Sequence, residues 1–122
     1  MRELDNQNPS VNGGSIKTIY VYVSGPYSNG DRLKNTLTAI GVGEELLAKG
    51  YAPFVPHLSH YWPHEHSWDF WMKFCMEWLK KCDVLLRLPG ESKGADIEVD
   101  AALRNGIRVY YSLEELIKNE QP

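Results

Sequence analysis

The sequence contains little cysteine and no long apolar run, and both absences narrow what the protein can be. No stretch reaches the roughly eighteen consecutive apolar residues of a membrane-spanning helix. The polar N-terminus also lacks the apolar core of an export signal, so we expect a cytoplasmic protein. The two cysteines, Cys75 and Cys82, fall two turns apart on one predicted helix, about 10 Å between Cα atoms, which is too far for a disulfide. We therefore expect reduced thiols.

Positive charge is not in excess either. The chain has 13 Lys and Arg residues against 16 Asp and Glu residues, a formal net charge of −3, which does not favour binding to a phosphate backbone. We expect neither polymeric nucleic acid nor a membrane as a partner. Hydrophobic residues make up 43% of the 122 residues, enough for the core of one domain. The prediction is a flexible N-terminal segment, residues 1–15, followed by a single domain over residues 16–122.

Strand-like and helix-like segments alternate along this domain. Runs rich in β-branched and aromatic residues at 19–23, 51–56, 83–88 and 107–111 predict strands, and segments with helical periodicity separate them. Strands that alternate with helices indicate right-handed βαβ units and a parallel sheet. The predicted fold is therefore α/β: a single-domain three-layer α/β/α sandwich, Rossmann-like or flavodoxin-like, with four or five parallel strands.

The helix predicted between the first two strands carries an apolar stripe. Leu33, Leu37, Ile40 and Leu47 recur at intervals of three, four and seven residues, and Gly50 ends the pattern. This spacing predicts an amphipathic helix whose apolar face is the leucine stripe.

Ligands of such sheets bind beyond the carboxyl ends of the strands, and this rule selects the segments after the four predicted strands: 24–29, 55–69, 89–98 and 111–112. The first loop, SGPYSNG, offers backbone N–H groups, a hydroxyl and two glycines to a phosphate or sugar, or it is only a structural turn. In the third, Ser92 with Lys93 can hold a phosphate. Glu98, four residues beyond Gly94, is expected in the first turn of a helix, where the dipole favours an ionised carboxylate. Glu98 is thus a candidate nucleophile or charge stabiliser, or it only compensates the helix dipole.

The loop after the second predicted strand is rich in aromatic and histidine side chains. Rings that can stack on a planar base, or pack in the core, are Tyr61, Trp62, Trp68 and Trp71. The histidines are His57, His60, His64 and His66. Their spacing matches neither a HExxH helix nor a zinc finger, so we expect no metal; one of them can act as a proton donor or be an ordinary loop residue.

Three motifs resemble the nucleoside 2-deoxyribosyltransferase-like superfamily: SGPY, EWLKKCDVLLRLPG and SKGADIEVDAALRNGIRVYY. The superfamily includes deoxynucleoside monophosphate N-glycosidases and small members of the DUF4406 type, and the resemblance spans about Ile19–Leu116. It implies that Glu98 is the nucleophile that attacks the anomeric carbon, and that Ser92 contacts the 5′ group. Members that transfer nucleosides have aspartate where this chain has Ser92, whereas members that hydrolyse monophosphates have serine.

The chain departs from the resemblance at one catalytic position. The superfamily often has an aspartate that helps to protonate the departing base eight residues before the acid that opens the third strand. This sequence has Cys75 there, and a thiol cannot take over the role of the carboxylate. Asp69, Glu77, Asp96, a loop histidine or water would then have to serve as the acid.

The sequence as a whole predicts an enzyme that hydrolyses the N-glycosidic bond of a (deoxy)nucleoside 5′-monophosphate through a glycosyl-enzyme intermediate. The alternatives are a base-exchanging 2-deoxyribosyltransferase, an NAD-like glycohydrolase, and a nucleotide-binding module without turnover. We expect no cofactor and a homodimer or higher homo-oligomer. The predicted catalytic residues are Glu98, Asp69 and Asp96. The predicted substrate-binding residues are Ser24, Gly25, Pro26, Tyr27, His57, Trp62, Trp71, Gly90, Ser92, Lys93 and Gly94.

Overall fold

A computed structural model describes residues 17–122, so the predicted flexible segment at residues 1–15 lies outside the described residues. Strands and helices alternate, as predicted. The strands are β1 (Tyr20–Ser24), β2 (Ala52–Phe54), β3 (Val84–Arg87) and β4 (Arg108–Tyr110). The helices are α1 (Arg32–Ala48), α2 (Trp68–Leu79), α3 (Lys93–Arg104) and α4 (Leu113–Asn119), with a 3₁₀ helix at Pro56–Tyr61 between β2 and α2.

The four strands form one parallel sheet in the order β2-β1-β3-β4. Val21 of β1 lies opposite Pro53 on one side and Val84 on the other. This order equals the first four strands of a flavodoxin-like sheet, in which ligands bind where the strand order reverses, here between β1 and β3. The predicted α/β fold is confirmed.

Alternate side chains of the central strands enter two different cores, because successive residues of a strand point to opposite faces. One core, under α1 and α4, contains Val21, Val23, Val84, Leu86, Ala39, Leu46 and Leu116. The other, under α2 and α3, contains Tyr22, Leu85, Cys75, Leu79, Ala101 and Ala102. The sheet therefore has helices on both faces and forms the middle of three layers.

Helix α1 does not pack through the leucine stripe that the sequence suggests. Its buried residues are Thr36, Ala39, Gly43 and Leu46. The small residues let the helix approach the sheet closely, since a Cβ on Gly43 would lie only 3.1 Å from Cγ2 of Val55. Leu33, Leu37 and Leu47 are instead 60%, 57% and 59% exposed.

Each of the four described α-helices begins at a polar side chain that caps it. Asp31, Ser67, Ser92 and Ser112 each accept a hydrogen bond from the backbone N–H three residues further on, at 3.1 Å. Cys75 and Cys82 are free thiols, as predicted. Within residues 17–122, no helix has the length and apolar character needed to cross a lipid bilayer.

Candidate active site

A cavity of about 760 Å³ opens at the carboxyl edge of the sheet, between the loops that follow β1, β2 and β3. Its position agrees with the ligand-binding rule for open parallel sheets. The predicted site residues that line it are Gly25, Tyr27, His57, Trp62, Trp71, Ser92, Lys93, Gly94 and Glu98. The fold therefore brings most of the predicted site together in one cleft.

Glu98 is a buried carboxylate with a hydroxyl on each oxygen. The Tyr22 hydroxyl donates to Oε2 and the Ser24 hydroxyl donates to Oε1, both at 2.7 Å. Tyr22 and Ser24 lie two residues apart on β1 and so point to the same face of the sheet, the face that α3 covers. Glu98 is only 6% exposed, yet it contributes to the cavity wall. The carboxylate is thus held in one orientation with an approach from the cleft.

The charge of Glu98 is controlled differently from the sequence prediction. Because α3 begins at Lys93, Glu98 lies in its second turn rather than its first, beyond the N–H groups that lack intrahelical partners. Burial raises the pKa of Glu98, while hydrogen bonds from Tyr22 and Ser24 and the nearby Arg87 charge act to lower it. The expectation that the N-terminus of α3 stabilises the Glu98 anion is therefore wrong. Two hydroxyls and one guanidinium favour the ionised form instead.

Tyr22 is itself fixed as a donor. Burial, and then the adjacent Glu98 charge, hold the pKa of the Tyr22 hydroxyl well above its usual value. The phenol therefore keeps its proton at neutral pH and can donate it to Glu98. The Tyr22–Glu98 hydrogen bond therefore keeps its donor at neutral pH.

The structure does not bring Asp69, Glu77 or Asp96 to the cavity. Asp96 has a 70% exposed side chain whose Oδ1 accepts from Nη2 of the buried Arg87 at 2.9 Å. It lines a separate, more open depression along the outer side of α3. Asp69 is exposed in the first turn of α2, where a negative charge stabilises a helix N-terminus. None of these carboxylates lines the cavity that contains Glu98.

Cys75 occupies the floor of the cavity. It is 8% exposed, lines the cleft and lies close to Tyr22 and Glu98. Burial raises the pKa of its thiol to about 11. At neutral pH the thiol is therefore protonated and is a poor proton donor.

The N-terminus of α3 offers an anion-binding end. The Ser92 hydroxyl oxygen accepts the Ala95 N–H at 3.1 Å, which leaves its own proton free to donate to a ligand. The N–H groups of Lys93 and Gly94, the first two residues of α3, have no intrahelical acceptor. The Lys93 ammonium lies 5.4 Å from the centre of the Trp68 ring. Hydroxyl, amides and ammonium together suit a phosphate group.

Aromatic rings form the opposite wall. Tyr27 and His60 are stacked, with ring centroids 3.7 Å apart and an angle of 5° between planes. Trp62 lies edge-on to Trp71 at 5.8 Å. The Arg32 guanidinium lies 5.7 Å from the centre of the Tyr27 ring, so a cation borders this wall as well. Such a wall can hold a planar base and exclude water from one side.

Pro26, His57 and Gly90 hold the loops together beneath this wall. Nε2 of the buried His57 donates to the Pro26 carbonyl at 2.9 Å, and burial lowers the pKa of the ring. Gly90 has a φ of +115°, and a Cβ there would lie 2.8 Å from Cγ of Pro26. These three residues thus shape the cleft by joining the loops after β1, β2 and β3. Among the described residues, no three His, Cys, Asp or Glu side chains are grouped so that they could hold a metal ion.

Sequence reasoning missed several site residues. These are Tyr22, which holds Glu98, Arg87, which lies near it, and three charged residues of the cavity wall: Arg32, Glu65 and Glu91. Only Tyr22 carries a usable signal. Tyr22 and Ser24 are two residues apart, so both hydroxyls lie on one face of β1. Once α3, which carries Glu98, is placed on that face, the spacing identifies Tyr22 as a partner of Glu98.

Comparisons with known proteins agree with the motifs and the topology. Residues 19–111 match the family described as "Domain of unknown function (DUF4406)". The structure is similar to that of the 2-deoxyribosyltransferase of the psychrotolerant bacterium Bacillus psychrosaccharolyticus, with a TM-score of 0.57 and 24% sequence identity over 74% of this chain and 69% of that chain. No curated protein matches the sequence. The chain belongs to the DUF4406 family and has the fold of the nucleoside 2-deoxyribosyltransferase-like superfamily, as its motifs predict.

Proposed function

We propose that the protein hydrolyses the N-glycosidic bond of a (deoxy)nucleoside 5′-monophosphate. The observation that carries this proposal is the buried Glu98 carboxylate, which Tyr22 and Ser24 hold at 2.7 Å on the wall of a cleft with a polar end and an aromatic end. A carboxylate fixed in this way is suited to attack a carbon that acquires positive charge. The solved 2-deoxyribosyltransferase with the same fold is named for chemistry at this type of bond.

In the proposed reaction, Glu98 attacks C1′ of the sugar. The C1′–N bond breaks through an oxocarbenium-like transition state, and its electron pair leaves with the base, which gains a proton. The product is a glycosyl ester of Glu98. Water then attacks C1′, which regenerates the carboxylate and releases the sugar phosphate. Since Asp69 and Asp96 lie outside the cleft and the pKa of the Cys75 thiol is about 11, we assign the proton to a cavity histidine or to water.

The 5′-monophosphate is favoured by the end of the cleft at Ser92. Its free hydroxyl proton, the first amides of α3 and the Lys93 ammonium all present positive charge or donors to a ligand. A carboxylate in place of Ser92 would repel a phosphate and accept a sugar hydroxyl instead. Tyr27, Trp62 and Trp71 would then border the base.

Three other functions are alternatives, and two observations favour them. The cavity of about 760 Å³ has room for more than a monophosphate, which suits an acceptor base in a transferase or the second half of a dinucleotide such as NAD. The thiol of Cys75 in place of an acid suits a nucleotide-binding module without turnover.

Chromatographic detection of free base separates these functions. The protein is incubated with a panel of nucleoside 5′-monophosphates, the matching nucleosides and NAD, each with and without a second base. Release of base from monophosphates alone, independent of the second base, supports the proposal. Release that yields a new nucleoside selects the transferase, and release of nicotinamide selects the dinucleotide.

The control pair is Glu98→Gln and Glu77→Gln. Glu77 is an exposed carboxylate on α2 whose described partner is Lys80, so its amide variant should keep full activity. Glu98→Gln should lose at least about a thousandfold in rate, the usual cost of removing a nucleophile. Ligand binding without base release by either protein would overturn the glycosidase and establish the binding module.

A further inference from the structure

Arg87 carries a buried positive charge next to the candidate active site. It is the last residue of β3 and is only 8% exposed. The sheet register sets it beside Ser24 of β1. Because side chains alternate along a strand, Arg87 points to the same face of the sheet as Ser24, which donates to Glu98. The guanidinium therefore lies on the side of the sheet that α3 covers, where its charge acts on Glu98.

The guanidinium nevertheless binds a different carboxylate. Its Nη2 donates to Oδ1 of Asp96 at 2.9 Å, and its Nη1 donates to the carbonyl of Leu88. Both oxygens of Glu98 accept neutral hydroxyls instead, and among the described residues no ion pair joins Arg87 to Glu98. A buried guanidinium needs an anionic partner. Here that partner is a carboxylate on the outer side of α3 whose side chain is 70% exposed.

The other groups that act on Glu98 are neutral. Tyr22 of β1 and Cys75 of α2 lie close to it, and both keep their protons at neutral pH because burial raises the pKa of each. On the same face β4 presents the apolar Val109. Among the groups of β1, β3, β4 and α2 around Glu98, Arg87 is therefore the one that is charged at neutral pH.

The partner that a guanidinium chooses matters to a neighbouring nucleophile. A nearby positive charge favours the ionised carboxylate. A guanidinium bonded directly to the carboxylate also occupies its lone pairs and neutralises its charge, which weakens it as a nucleophile. The observed arrangement provides the first effect without the second.

We propose that Asp96 is a positioning residue for the proposed reaction, because it holds the Arg87 guanidinium beside Glu98 and prevents it from pairing with the nucleophile. Asp96 does not line the cleft and acts through Arg87 alone. The kinetic consequence rests on the proposed function. The contacts themselves exist without substrate, so they can be tested separately.

The first test measures the protonation of Glu98 without any substrate. The full chain, labelled with ¹³C at the glutamate side-chain carboxyl, is titrated by NMR, and Glu98→Gln identifies the Glu98 signal. In Asp96→Asn the released guanidinium should pair with Glu98, so the pKa of Glu98 should fall below its wild-type value. A pKa that is unchanged or higher would overturn the proposal.

Asp100→Asn is the matched control. Asp100 lies two residues after Glu98 on α3, whereas Asp96 lies two residues before it. Asp100 is 66% exposed and pairs with Arg104 at 2.8 Å, so Asp100→Asn removes the same charge from a similar ion pair. Asp100→Asn and the charge-conserving Asp96→Glu should both leave the pKa of Glu98 at its wild-type value. A shift in either variant equal to that of Asp96→Asn would contradict the role of the Arg87 pair.

Removing the guanidinium shows whether Asp96 acts through it. Arg87→Met should raise the pKa of Glu98, and adding Asp96→Asn should then change nothing. A shift that persists without Arg87 would mean that Asp96 acts on Glu98 directly, against the proposal. If Arg87→Met does not fold, the three variants at Asp96 and Asp100 decide alone, because substitutions at such exposed positions change stability little.

Kinetics test the consequence for the proposed reaction. At a pH where Glu98 is ionised in every variant, kcat for base release by Asp96→Asn should fall about tenfold, the effect of one hydrogen bond to a charged group. KM should stay the same, since Asp96 does not line the cleft. An unchanged kcat in an active enzyme would refute the positioning role. A wild-type protein that releases no base would refute the proposed function, whereas the NMR titration would still decide between Asp96 and its control.

Discussion

Two buried glutamates on opposite faces of the sheet are held in opposite ways. Glu98, on the α3 face, receives two neutral hydroxyls, and burial raises its pKa. Glu120, which follows α4, forms an ion pair with Arg108 and accepts from the Tyr110 hydroxyl, and the hydrogen bond from Arg108 lowers its pKa despite burial. Its backbone carbonyl also accepts from Tyr51.

The difference is that the charge of Glu120 stabilises the fold, whereas the charge of Glu98 destabilises it. Glu120 is more stable as an anion in the folded protein than in water. Its bonds to Arg108 and Tyr110 hold the C-terminal residues against β4. Glu98 is less stable as an anion in the folded protein, so it costs folding free energy at neutral pH. Such a cost is typical of a group kept for chemistry rather than for stability.

Replacing the stabilising carboxylate should have the largest effect on folding. Glu120→Gln removes the charge that binds Arg108 and Tyr110, so the free energy of unfolding at pH 7 should fall by about 2 kcal/mol. The folded-state pKa lies below the usual 4.5, so the wild type keeps this advantage above that pH and loses it as the pH falls through the folded value. Urea denaturation at several pH values measures the difference. Glu114 is an exposed neighbour on α4, so Glu114→Gln should change the free energy of unfolding little. Equal losses in both variants would show that the bonds of Glu120 do not stabilise the fold.

Removing one hydroxyl from the Glu98 carboxylate should raise its pKa further. Tyr22→Phe deletes a hydrogen bond that lowers this pKa, so the acidic limb of the kcat/KM profile should move to higher pH. Below neutral pH the rate should fall about tenfold, the effect of one hydrogen bond to a charged group. Tyr110→Phe is the matched control, because it deletes the equivalent bond to Glu120. A Tyr22→Phe enzyme with an unshifted pH profile would show that the hydroxyl does not support the anion.

Neutralising Glu98 itself should stabilise the protein while it stops the reaction. Glu98→Gln should raise the free energy of unfolding at pH 7 by about 1 kcal/mol, a common gain at a functional site. Since the folded pKa is raised above the usual 4.5, the gain should shrink as the pH falls through that folded value and be absent below 4.5. Thermal unfolding across this range tests the sign. A destabilised Glu98→Gln protein at pH 7 would mean that the anion is not costly.

The smallest effect is expected at the phosphate end. Ser92→Ala and Ser112→Ala delete equivalent helix caps, each a 3.1 Å bond to the backbone three residues on, and each should cost about 1 kcal/mol of stability. Only Ser92→Ala should also raise KM for a 5′-monophosphate, by about fivefold, because it alone faces the cleft. Steady-state kinetics of the two variants compare them. Equal KM values would remove Ser92 from the substrate site.

The strands and the position of the candidate nucleophile could be predicted from the sequence. The β-branched run at residues 19–23 became β1 at Tyr20–Ser24, because hydrophobic runs bounded by turn residues have few other solutions. The family resemblance paired Glu98 with Ser92 as site residues, and both line one cleft in the structure.

The face of α1 and the partners of Glu98 required the three-dimensional packing. Leucines and small residues occupy different sides of α1. Which side is buried is known only from the packing, in which Gly43 lies close to Val55. Asp96 is two residues from Glu98, but that offset is about 200° around a helix, so it points away. A tyrosine in a strand, such as Tyr22, is ordinarily predicted to pack in the core. Its bond to Glu98 forms only because α3 covers the face of the sheet to which Tyr22 points.

The two hydrogen bonds that hold Glu98 join residues 74 and 76 positions apart in the chain. Contacts of such long sequence separation form only after large loops have closed, whereas helices form from local contacts. During refolding, helical circular dichroism should therefore recover before Tyr22 and Ser24 bind Glu98. The candidate site exists only in the folded molecule, and a chain that has collapsed without pairing β1 to β3 carries every residue of the site but does not bring them together.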